Sequence, residues 1–141
     1  MTAPWAVAVA GIFVWLGMVL AISFMEAPLK FRALGVTLQV GLGIGRVVFR
    51  ALNAAELLLG VVVLVALQFE PPPSRVTVAI LIAVLVLAVQ LLAVRPALTR
   101  RSDAVLAGDD GTRSRGHYVY IELEVIKAIA LLVSGILLLA A

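Results

Sequence analysis

Twenty consecutive residues, Trp5 to Phe24, carry no charge. A helix needs about 20 mostly apolar residues to cross a bilayer, so this run reads as a first spanning helix over approximately 5–25. Trp5 stands at one end, where an interfacial aromatic belongs. Pro28 weakens helix continuation at Ala27, and Lys30 and Arg32 mark an interface.

The same length criterion applied to the end of the chain has a chemical consequence. The uncharged run after Lys127, Ala128 to Ala141, has only 14 residues. A spanning helix must then begin near Tyr118 to Ile121, at approximately 119–140, and Glu124 and Lys127 are drawn into it. At a rise of about 1.5 Å per residue, Lys127 lies roughly 10 Å inside the helix start. His117, Tyr120, Glu124 and Lys127 share one arc of the helical wheel, and Glu122 points away from it. Charges in hydrocarbon are costly, so this stripe is expected to face protein.

The second helix repeats the pattern. Leu57 to Phe69 is 13 residues long, so the helix must start earlier, at approximately 48–69. That carries Arg50, Asn53 and Glu56 with it. Glu56 has no Lys or Arg three or four positions away, which calls for a tertiary partner or a proton. The segment at approximately 29–46 is rich in glycine and too short to span, and reads as interfacial or re-entrant. Gly41 and Gly45 have the small-xxx-small spacing that allows close helix contact. Pro71-Pro72-Pro73 ends the second helix. The third, approximately 76–95, holds Gln90 as its one strongly polar side chain, and a connection over 96–117 comes after it.

Mean hydropathy of +1.19 and a charged fraction of 13% place the chain in the membrane class. The fold class expected is all-α, an integral membrane four-helix bundle in one domain. Net charge is +3, but nearly all the basic residues sit in two inter-helix connections, which argues against a nucleic-acid partner. The first connection holds Lys30, Arg32, Arg46 and Arg50, the third Arg95, Arg100, Arg101, Arg113 and Arg115, and the middle one Arg75 alone. This asymmetry predicts an inner or plasma membrane protein with the charged loops cytoplasmic and both termini outside. With no Cys and one His, thiolate sites and bis-His haem within one chain are excluded. A metal site of His117 with Glu124 and Glu56 would have no diagnostic spacing, and the sequence leaves the cofactor unknown.

The candidate ligand- or ion-binding residues are Glu26, Arg50, Asn53, Glu56, His117, Tyr120, Glu124 and Lys127, gathered toward the cytoplasmic half. Glu56 and Glu124 are the deepest carboxylates, with Lys127 and the Arg46/Arg50 pair as available countercharges. Glu124 and Lys127 read equally as an i,i+3 pair that neutralises itself. Three functions stay open. One is a binding or transport module with a cytoplasm-facing polar pocket. Another is an accessory subunit, homodimeric or in a larger membrane complex. The third is a membrane enzyme acting on a lipid or quinone, with His117 as acid–base.

Two resemblances bear on the fold. Trp15-Leu16-Gly17 with Phe24 and Phe31, Arg95-Pro96, and Arg115-x-His117 resemble the small four-helix membrane proteins related to transmembrane protein 205, which carry a domain of unknown function. Lys30-Phe31 followed by Ala54-Ala55-Glu56-Leu57-Leu58-Leu59-Gly60 is similar to DoxX-type membrane proteins, whose Glu-Leu-x-x-Gly signature would map to Glu56, Leu57 and Gly60. The resemblance implies a four-helix bundle in either case and supplies no reaction.

Overall fold

Pro4 lies in the first turn of helix α1, Ala3–Val19, where its missing N–H costs nothing. A computed structural model of the chain describes residues 1–94, 96, 100, 103–104 and 115–141, with side chains left undescribed at 94 and 115–117. The other long helices are α2, Leu38–Phe69, α3, Ser74–Val89, and α4, Arg115–Ala140. All regular structure among the described residues is helical. Four helices there are long and apolar enough to cross a membrane: Ala3–Arg32, Leu38–Phe69, Ser74–Ala93 and Tyr118–Ala140.

The first of these runs past the end expected near residue 25. Beyond α1 the chain continues as a π-helical segment, Leu20–Glu26, a single α turn, Ala27–Leu29, and a 3₁₀ turn, Lys30–Arg32. Pro28 explains the change of winding. Its ring clashes with the preceding turn of a regular α-helix, and the widened turn before it, in which the Ala27 N–H donates to Ile22 O, relieves that clash. The third helix behaves the same way: α3 passes into a π-helical segment, Gln90–Val94, two residues before Pro96.

After the 3₁₀ turn the chain reverses at Gly35, whose φ of +81° is open to glycine at little cost. Thr37 caps α2, its Oγ1 accepting from the Val40 N–H at 3.1 Å. Here the expectation of a separate interfacial or re-entrant segment over 29–46 is corrected, because residues 38–46 are the opening turns of one continuous helix. Contact offsets the low helix propensity of the glycines. The Phe31 ring lies over Gly41, and the Lys30 ammonium would sit 3.0 Å from a Cβ at Gly45. At 32 residues, α2 is about 48 Å long.

Helix α1 packs most closely against α2 and α4, and α3 packs against α4. Ala8, Ile12, Trp15 and Val19 of α1 are fully buried at the spacing of one helical stripe. They meet Val63 of α2, Ile80 and Ala83 of α3 and Leu131 of α4 in the apolar core. Close approach is set by small residues: a Cβ at Gly11 would stand 2.8 Å from Val63, and one at Gly135 2.6 Å from the Phe13 ring. At one end, Trp5 Nε1 donates to Glu70 O at 2.8 Å and the Thr2 hydroxyl donates to the Glu70 carboxylate, fastening the start of α1 to the end of α2.

The outward faces are apolar. On α2 alone, Leu57, Leu58, Val61 and Val65 are 50–66% exposed. The buried set, by contrast, includes Glu56, Gln90, Glu124, Lys127 and Ser134.

Candidate functional site: a buried charge cluster joining four helices

Lys127 is fully buried in the middle of α4. A buried ammonium is tolerable only where its donors are satisfied and its charge is met. Both conditions hold here. Lys127 Nζ lies 2.5 Å from Glu124 Oε1, 2.7 Å from Glu56 Oε1 and 2.8 Å from Gln90 Oε1. An ammonium has three N–H donors, and each has an acceptor.

The partners come from every helix. Glu124 is one turn before Lys127 on α4, so the i,i+3 geometry brings the pair together. Glu56 reaches across from α2, and Gln90 opens the π segment that ends the third helix. Gln90 Nε2 donates to Glu124 Oε1 at 2.9 Å and reaches the Tyr120 carbonyl at 3.5 Å. From the first helix, Trp15 Nε1 donates to Glu56 Oε1 at 3.3 Å, and the Ser23 hydroxyl donates to Glu124 Oε2. Ser23 belongs to the other π segment, so each π segment contains one polar side chain of the cluster, and such segments recur at functional sites.

The two carboxylates are served unequally. Glu124 accepts from Lys127, Gln90 and Ser23. Glu56 accepts from Lys127 and Trp15 on Oε1 alone, and its Oε2 is buried without a hydrogen-bond partner.

Of the eight candidates from the sequence, the structure brings Glu56, Glu124 and Lys127 into direct contact. Tyr120 adjoins them through its carbonyl, and its buried ring meets Phe49 edge-on with centroids 5.8 Å apart. Asn53 is half-buried and Arg50 exposed, and neither is among the hydrogen-bond or ion-pair partners of the cluster. Glu26 is half-buried near Lys30, at 3.9 Å, in the turns after the first π segment. The side chain of His117 and the whole of Arg95 lie outside the described residues. Of the expected countercharges, Lys127 meets both Glu56 and Glu124, whereas Arg46 pairs with Asp103 at 2.7 Å and Arg50 is exposed.

Three members of the cluster are not among those eight candidates. Gln90 carried a signal, as the lone strongly polar side chain in an apolar run. Trp15 and Ser23 carried none that separates them from ordinary packing residues.

Among the described residues, no group of three or more His, Cys, Asp or Glu side chains is placed to hold a metal ion. The cluster sets two carboxylates against one ammonium, all three buried. Comparison of the chain with family models, with curated proteins and with solved structures found no match.

Proposed function

We propose that this is an integral membrane protein that binds or transports a small charged species through the Glu56–Lys127–Glu124 cluster. The observation that carries the reading is the inversion of polarity. Large apolar side chains cover the outside, where hydrocarbon rather than water favours them. The charges lie inside, drawn from four helices. Intramembrane ionisable residues are costly and mark ion and proton pathways by default. Four Lys/Arg in the first connection and five in the third, against Arg75 in the middle, support cytoplasmic charged loops with both termini outside.

Thermal unfolding in mild detergent tests the binding reading. A species that binds only the folded protein raises its melting temperature. Wild type and Glu56→Gln are to be compared across pH and across sodium, potassium and lithium. A wild-type response that the variant lacks is expected. Parallel curves in every condition would contradict it.

The saturation of Lys127 favours a second reading, an accessory subunit whose charges pair within the bundle to fix its assembly. The enzyme reading depends on His117, whose side chain is not described, and gains no support here.

A further inference from the structure

We propose that the species held by the cluster is a single exchangeable proton, carried on Glu56 Oε2. The inference rests on the reading of the cluster as a binding site and names its occupant.

Charge is the first argument. Two buried carboxylates share one ammonium, which among the described residues leaves one negative charge without a countercharge. The charged or titratable groups among them that face Glu56 are Lys127 and Glu124, both from α4. Helix α1 offers it the indole of Trp15. From the π segments come Ser23 and Gln90, set against Glu124 and Lys127. None of these three titrates in the ordinary range. An unbalanced carboxylate in so closed a site is strongly disfavoured.

Geometry says which oxygen takes the proton. Both oxygens of Glu124 and Oε1 of Glu56 already accept hydrogen bonds. Glu56 Oε2 accepts none, although it is buried. Protonation there forms one O–H bond, takes one proton from water and brings the cluster to neutrality without displacing any side chain. A metal cation would instead need the space between the carboxylates, and the Lys127 ammonium holds that space at 2.5 and 2.7 Å.

Ser23, whose hydroxyl donates to Glu124 Oε2, is only half-buried, which brings the Glu124 side of the cluster toward the surface.

Infrared spectroscopy of the full chain in lipid nanodiscs reads the proton directly. Wild type is expected to show a carboxylic-acid C=O band that shifts in D2O and on ¹³C-glutamate labelling, but not on ¹³C-aspartate labelling. In Glu56→Asp the band is expected to follow the aspartate label, and in Glu124→Asp the glutamate label. Absence of the band in wild type overturns the assignment, as does a band that follows the label at position 124. A band on Glu56 in a protein that moves no protons would leave the proton site standing and remove the transport reading alone.

Discussion

Glu56 and Lys127 meet at 2.7 Å with neither side chain reaching solvent. They lie on α2 and α4, which are not among the closely packed helix pairs. Two long polar side chains therefore bridge a gap that backbone packing does not close.

That role predicts a coupling. Lys127→Met leaves Glu124 buried without a countercharge and is expected to cost about 3–5 kcal/mol. The double variant Lys127→Met with Glu124→Gln is neutral again and should recover most of that loss. Reversible unfolding in mixed micelles measures both. Additive losses would contradict the coupling.

The glycines separate in the same way. Gly41 lies directly under the Phe31 ring, so Gly41→Ala must displace that ring and is expected to lose about 1–3 kcal/mol. A Cβ at Gly60 would sit 3.6 Å from Trp15 Cη2, an ordinary contact. Gly60→Ala should then be neutral or gain up to about 1 kcal/mol from helix propensity. Equal effects at the two sites would contradict the packing described.

Much of the cluster was legible in the sequence because length forces it. Only 13 uncharged residues lie between Glu56 and Glu70, so a helix of about 20 residues ending there takes in Glu56, and the i,i+3 spacing of Glu124 and Lys127 pairs those two. The part that was not legible is what the polar side chains meet. Gln90 continues the buried stripe of Ala83, Val86 and Leu87, and Ser23 lies four residues beyond the buried Val19, so a wheel at constant pitch turns both inward without saying that they converge on α4. The sequence offered Lys127 and the Arg46/Arg50 pair as countercharges without choosing between them; the choice falls to Lys127, 71 positions on from Glu56, because Arg50 is exposed and Arg46 pairs with Asp103. The glycine-rich start of α2 looked unsuited to a regular helix because propensity omits the Phe31 and Lys30 contacts that stabilise it.

Sidedness is open to a simple test, since the chain has no cysteine. Leu34 is fully exposed in the bend before α2, and Ala141 is the last residue of the chain. With an impermeant maleimide on sealed right-side-out vesicles, Ala141→Cys should label at once and Leu34→Cys only after permeabilisation. The reverse order would invert the proposed orientation.

The most direct test of the cluster as a proton-transport site is the collapse of an imposed pH gradient across liposomes holding the purified protein, read by an internal pH dye. Wild type is expected to dissipate the gradient several-fold faster than protein-free liposomes, and Glu56→Gln at the protein-free rate while remaining folded. A Glu56→Gln protein as fast as wild type, or a wild type no faster than bare lipid, would contradict it.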